Sequence, residues 1–311
     1  MKVFVTGATG ALGRRVIRNL KEQQFSVVAL SRSAQNNEFL KKENVEIQQA
    51  DLFNKQDLIA ATKGCDAILH LATSIPKKTL AKLADWKMND RIRAEGTANL
   101  IDAALVNNIS TFVCQSVTMI YGQQNGGFVS VETPLPKEQI EMAKTTLEME
   151  AMLKERIPGK YIICRFGSFY SEDDFYTNSI IDNVKKGWMP MLGCGHYYIN
   201  WIHLDDAARA ICYGLHHLDT LSGKTVNVTD GHPILYADML NYLSDLLRHK
   251  KPFYLTKWIA RLLLGKNNFA VLTNSYRVKP EPLLENWEPV YSDFITGITQ
   301  ILKSKSNDLN R

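Results

Sequence analysis

The sequence predicts an α/β fold in which a doubly wound parallel sheet carries a smaller C-terminal α+β unit, and three observations lead there. From Met1 to about Cys164, short β-branched runs alternate with stretches of helical period, the pattern of a parallel sheet covered on both faces. A glycine-rich turn stands directly between the first strand and the first helix. After Gly167 the alternation loosens, with Gly187, Pro190, Gly193 and Gly195 interrupting the chain and aromatic residues gathering from Trp188 to Trp201.

Taken in order, strands are expected at Lys2 to Thr6, Ser26 to Ser31, Val45 to Gln49, Ala67 to Leu71, Thr111 to Gln115 and Lys160 to Arg165. Helices are expected at Leu12 to Gln23, Gln56 to Thr62, Lys87 to Asn107 and Lys137 to Arg156. Beyond Gly167 the chain returns to a helix at Ala207 to His216, a strand at Thr225 to Thr229 and a helix at Tyr236 to Leu247. The division expected is 1–166 for the sheet unit, with segments around 196–230 returning to it, and 167–311 mainly for a substrate-binding unit. A polar tail from Lys303 is expected to fray.

The 311 residues, 45% hydrophobic and 22% charged, are ordinary values for a globular protein with a sizeable core. No apolar run approaches the roughly 18–20 residues that cross a bilayer, so a soluble chain with no membrane partner is expected. Trp258 to Leu264 is apolar enough for a membrane-surface helix, but packing on its own protein is the expected use. The net charge of +5 comes from scattered lysines rather than a stripe, which argues against nucleic acid. Cys65, Cys114, Cys164, Cys194 and Cys212 are far apart and show no CxxC spacing, so neither disulfides nor a metal site is expected. The first strand begins beside Met1, leaving no room for a leader, and the expected compartment is the cytoplasm.

The turn reads Thr6-Gly7-Ala8-Thr9-Gly10-Ala11-Leu12-Gly13. Glycines here allow a tight turn, close approach of backbone to a pyrophosphate, and close packing of helix on strand. The helix N-terminus then offers free N–H groups to the phosphates. A dinucleotide-binding Rossmann domain is therefore expected over 1–166, holding its cofactor through Gly7, Thr9, Gly10, Ala11, Leu12 and Gly13. An acidic residue normally ends the second strand where NAD is preferred. Here Ser31-Arg32-Ser33 stands there, and no acid follows the strand before Glu38. Arg32, with the hydroxyls of Ser31 and Ser33, suits the 2′-phosphate of NADP, so NADP is favoured with NAD as the alternative; Arg14 lies close enough in sequence to assist.

The loop resembles that of the extended short-chain dehydrogenases/reductases, the NAD(P)-dependent epimerase/dehydratase family. The likeness continues through Asp51-Leu52, His70-Leu71-Ala72-Thr73, Gly96 to Leu100, Tyr121-Gly122, Ile202 to Asp206 and Asn286 to Pro289, which covers nearly the whole chain. The resemblance implies that Asp51 binds the adenine amino group with Leu52 beside the ring. It also implies that Leu71, Ala72 and Thr73 line the inner half of the cofactor, and that Phe169 lies beneath the nicotinamide. Tyr170, Trp201 and His203 are implied as substrate-pocket residues. Helices near Lys87 to Asn107 and Lys137 to Arg156 occupy positions that pair subunits, so a homodimer is expected.

At the catalytic centre the pattern breaks. The family places a Tyr four residues before a Lys, so that both share one helix face. Here Lys144 stands but position 140 is Ile. The family's Ser or Thr four residues before the strand-end Tyr is Val117, and its Asn three residues before Gly96 is Arg93. The chain thus resembles the atypical branch that lacks the catalytic Tyr. The expected groups are Lys144, holding the nicotinamide ribose, with Tyr121, Ser116 or a bound water as proton donor. The leading expectation is an NADP(H)-dependent oxidoreductase acting on a small carbonyl substrate. A non-catalytic NADP(H)-binding sensor and a nucleotide-sugar epimerase/dehydratase are the alternatives.

Overall fold

The computed structural model describes residues 1–32, 37–78, 81–279, 281 and 286–308, the side chains of 306–308 excepted. Seven parallel strands form one sheet: β1 (Lys2–Thr6), β2 (Ser26–Ser31), β3 (Glu46–Gln49), β4 (Ala67–His70), β5 (Thr111–Val117), β6 (Tyr161–Phe166) and β7 (Lys224–Val228). Their order is β3-β2-β1-β4-β5-β6-β7. Val5 faces Ala29 on one side and Leu69 on the other. The order reverses between β1 and β4, so the loops leaving their carboxyl ends part and open a crevice.

Strand periodicity sorts the core into two layers. Val3 and Val5 point to one face, where Leu12, Val16 and Leu20 of the helix Ala11–Glu22 meet Ala207 and Ile211 of the helix Leu204–His216. Phe4 points to the other, where Leu100, Ile101, Met149 and Leu153 cover Ile68 and Phe112. The helix expected at Lys87 to Asn107 runs from Leu83 to Val106 through a widened π-turn at Ile92–Gly96. Gly96 belongs there because a Cβ would lie 2.9 Å from Leu52 Cδ2.

A separate apolar core gathers Tyr170, Ile181, Trp201, Tyr236, Leu240, Phe294 and Ile298, drawn from the helices Phe175–Lys185, Tyr236–Leu246 and Phe294–Asp308 and the short strands between them. One expectation changes and another holds in part. The helix expected from Lys137 begins at Glu141. The segment Trp258 to Leu264 lies in the helix Lys257–Thr273, bent at Gly265 (φ 75°); Ala260 and Leu264 pack on this core as expected, while Trp258, Leu262 and Leu263 stay exposed. Cys65, Cys114, Cys164 and Cys212 are buried and Cys194 is exposed, all as free thiols. Among the described residues no helix is long and apolar enough to cross a membrane.

Candidate functional site

The turn after β1 is shaped by contacts that tolerate no side chain. Gly7 has φ +72°, and a Cβ there would stand 2.6 Å from the Leu71 carbonyl carbon. At Gly13 a Cβ would stand 2.1 Å from the Gly7 oxygen. Gly10 donates to that same oxygen at 2.9 Å and caps the helix Ala11–Glu22 without a side-chain bond, and the first turn holds no acid. Thr9, Gly10 and Ala11 are exposed, whereas Leu12 is buried and offers only its backbone. The result is an uncapped, positively polarised helix end facing the crevice. Arg14 stays exposed at its edge and donates to the Thr9 carbonyl at 3.0 Å. Arg15, one residue on, is buried among Glu172, Asp173 and Asp205 and fastens this helix to the C-terminal half.

Beyond the carboxyl ends of β2 and β3 lies a cavity of about 260 Å³ lined by Arg32, Ala50, Asp51 and Phe53. Arg32 and Asp51, both expected at the adenosine end, line this one cavity. Asp51 is exposed and accepts from the Phe53 amide at 3.0 Å. The Arg91 guanidinium lies 3.7 Å from the Phe53 ring centre and is tied to Glu95. Leu52 turns inward onto Gly96 rather than into the cavity. Ser31 is buried and donates to Asn37 at 2.7 Å, so its hydroxyl does not present itself beside Arg32 as expected. Ser33 lies outside the described residues. On the inner side Leu71 is buried, with its backbone against Gly7, while Ala72 and Thr73 are half-buried at the end of β4.

The catalytic expectations fare differently. Ser116 and Tyr121 are wholly buried. Ser116 donates to Glu150 at 2.6 Å, Arg165 donates to both Glu150 oxygens at 3.0 and 2.6 Å, and Arg165 also reaches the Tyr121 hydroxyl at 2.9 Å. Tyr121 in turn donates to Asn227 at 2.8 Å. Both side chains expected as proton donors therefore have their protons committed to a sealed structural network, which corrects their assignment. Burial raises the Tyr121 pKa against the opposing pull of Arg165.

Ile140 is the residue capping the helix Glu141–Arg156, in extended conformation (φ −63°, ψ 147°), so positions 140 and 144 do not share a helix face. Lys144 is half-exposed and paired with Glu141 at 2.7 Å. Arg93, in place of the expected Asn, is buried and donates to Thr146 of the same helix.

The aromatic residues expected around substrate are core instead. Tyr170 is fully buried and Trp201 stacks on Phe294 with centroids 4.6 Å apart. His203 is buried, stacked on Tyr291 at 3.6 Å, and caps the helix Leu204–His216 by accepting from the Asp205 amide. Burial lowers its pKa against the opposing pull of Asp205 and Glu172. Phe169 remains half-buried, packed against Phe166.

One hydroxyl pair at the carboxyl end of β5 was missed. Thr118 Oγ1 and Tyr276 Oη lie 3.1 Å apart; Tyr276 is half-buried, and burial pushes its pKa up to about 12. One proton bridges the pair, and among the described residues no contact takes the other. Tyr276 lies 158 residues from Thr118, and no local pattern joins them. The Glu150–Arg165 pair did leave a signal: Glu150 falls on the same helical stripe as buried Met142, Met149 and Leu153, and Arg165 interrupts an apolar strand.

The profile of the NAD dependent epimerase/dehydratase family matches residues 3–229. The chain is 25% identical over 256 residues to the sterol-4-alpha-carboxylate 3-dehydrogenase, decarboxylating, of Dictyostelium discoideum, covering 80% of this chain and 76% of that one. Among solved structures it is similar to human epimerase family protein SDR39U1 (isoform 2) with NADPH, at TM-score 0.80 and 17% identity over 97% and 99% of the two chains. It is also similar to MoeE5 in complex with UDP-glucose and NAD, at TM-score 0.77 and 19% identity over 99% of each.

Proposed function

This chain belongs to the NAD dependent epimerase/dehydratase family, and from that premise we propose that it is an NADP(H)-dependent oxidoreductase that reduces a small carbonyl compound through a non-standard proton donor. The observation that carries the cofactor half is the turn of Gly7, Gly10 and Gly13 under an uncapped helix end, where a Cβ on Gly7 or Gly13 would clash with backbone. The Gly10, Ala11 and Leu12 amides would hold the pyrophosphate, Arg32 the 2′-phosphate and Asp51 the adenine amino group. Leu71 to Thr73 would line the inner half, and Lys144 would hold the nicotinamide ribose on leaving Glu141. Bound nicotinamide supplies or accepts a hydride. That the human neighbour is described with NADPH supports the phosphorylated form.

With Ser116 and Tyr121 sealed and Ile140 unable to carry a proton, the Thr118–Tyr276 pair is the candidate donor. Its raised pKa keeps the Tyr276 hydroxyl protonated at neutral pH, and Thr118 orients it, so it would hydrogen-bond the substrate oxygen and protonate it as charge develops. The test is NADPH oxidation against a panel of aldehydes and ketones. The expected result is turnover with at least one carbonyl, about 100-fold lower in Tyr276→Phe and within about threefold of wild type in Ser116→Ala. The displaced Ile140 and the Lys144–Glu141 pair favour a second reading, a non-catalytic NADP(H) sensor. Tight NADPH binding with no turnover on any carbonyl would establish it over the first. A homodimer through the helices Leu83–Val106 and Glu141–Arg156 would cover Leu83 and Met88, which are exposed; a solution mass of one chain would contradict it.

A further inference from the structure

We propose that the face formed by residues 185–188 and 248–266 docks this protein on an anionic lipid surface. The proposal is independent of the cofactor reading. Six large apolar or aromatic side chains stand in solvent there: Trp188 at 68% exposure, Phe253 at 51%, Tyr254 at 75%, Trp258 at 70%, Leu262 at 76% and Leu263 at 63%. A monomeric soluble protein rarely gathers so many, and such patches mark protein or membrane contacts.

The two segments are physically continuous. Strand Tyr254–Leu255 pairs with Met191–Leu192, a Cβ on Gly193 would touch the Lys257 side chain at 2.8 Å, and one on Gly187 would meet His249 at 3.2 Å. Lys186 lies 5.3 Å from the Trp188 ring centre. On the helix, Trp258, Arg261 and Leu262 at i, i+3 and i+4 share one side, and the bend at Gly265 ends this eight-residue leg.

Charge selects the occupant. Residues 248–266 contain six lysines and arginines and no aspartate or glutamate, whereas the whole chain carries only +5. The remainder of the molecule is therefore net negative, and the positive excess sits in the segment that exposes the tryptophan and leucines. Lys250, Lys257, Arg261 and Lys266 are exposed around it, and Lys251 pairs with Asp245. Tryptophan and tyrosine favour the headgroup level, leucine the acyl boundary, and lysine and arginine the anionic surface. A second copy meeting this face by two-fold symmetry would set like charges opposite one another, which disfavours self-association there.

The test is co-sedimentation of the full chain with vesicles of phosphatidylcholine alone and of equal parts phosphatidylcholine and phosphatidylglycerol. The expected result is binding to the mixed vesicles, about tenfold or more weaker to the neutral ones and weakened by salt. The double variant Leu262→Ser/Leu263→Ser alters only exposed side chains and is expected to lose about tenfold in vesicle affinity with unchanged Tm and NADPH affinity. Failure to bind the mixed vesicles overturns the proposal, as does undiminished binding of the variant. A wild-type dimer that the same variant reduces to 35.2 kDa also overturns it, since the face would then pair two copies.

Discussion

Replacing Arg32 by Glu is expected to separate the two nicotinamide cofactors. Arg32 is the one cation among the described residues lining the cavity at the ends of β2 and β3, and the nearby Arg91 is committed to Glu95 and to the Phe53 ring. A hydrogen bond to a charged group contributes about 1.5–3 kcal/mol. Because Arg32 is exposed, the lower end applies, about 1.5 kcal/mol. Reversing its sign replaces attraction by repulsion of similar size, for a total of about 3 kcal/mol, or roughly 100-fold in Kd. NADH has no 2′-phosphate, and its affinity is expected to change by less than about threefold. Isothermal titration of both cofactors into wild type and Arg32→Glu reads the difference. Equal weakening of NADPH and NADH, or no weakening of NADPH, would refute the assignment of Arg32 to the phosphate.

Gly13→Ala drives a Cβ into the Gly7 carbonyl at 2.1 Å; an unfolding loss of about 1–3 kcal/mol is expected, together with loss of the Tm increase that NADPH gives wild type. Glu150→Ala leaves the buried Arg165 without its carboxylate, and urea denaturation is expected to show a loss of about 3–5 kcal/mol. Burial raises the Asp230 pKa to about 7, and one of its carboxylate oxygens has no partner. The unfolded chain releases this proton well below the folded one, so this group's contribution favours the folded state below the unfolded pKa and is lost as pH rises through about 7. Asp230→Asn is therefore expected to gain on wild type by about 2.5–3 kcal/mol between pH 5 and pH 8, from the roughly two pKa units that lie between pH 5 and the folded value; parallel urea midpoints at the two pH values would reject this.

The sheet was legible because each strand is specified locally. Lys2–Thr6 and Ser26–Ser31 are apolar or β-branched runs closed by turns, and their observed limits equal the expected ones. The glycine cradle was legible because its pattern lies within seven residues, although the backbone that Gly7 meets is that of Leu71. What the sequence concealed depends on contacts made far along the chain. Ser116 faces Glu150 rather than the crevice because a helix 34 residues later brings a carboxylate to it, and Tyr121 is claimed by Arg165 and Asn227. Trp201 and His203 look like pocket residues until Phe294 and Tyr291 arrive to stack on them. The spacing of Ile140 and Lys144 implied a shared helix face, but the helix starts one residue too late. Exposure of Trp258 and Leu262 was equally hidden, because an amphipathic period does not say whether anything covers it.

The most direct test of the account is a crystal structure of the chain with NADPH bound. The pyrophosphate is expected on the Gly10 to Leu12 amides, the 2′-phosphate on Arg32, and the Tyr276 hydroxyl facing the reactive side of the nicotinamide. A cofactor bound with its 2′-phosphate turned away from Arg32, or a nicotinamide with neither Tyr276 nor Thr118 beside it, would contradict the account.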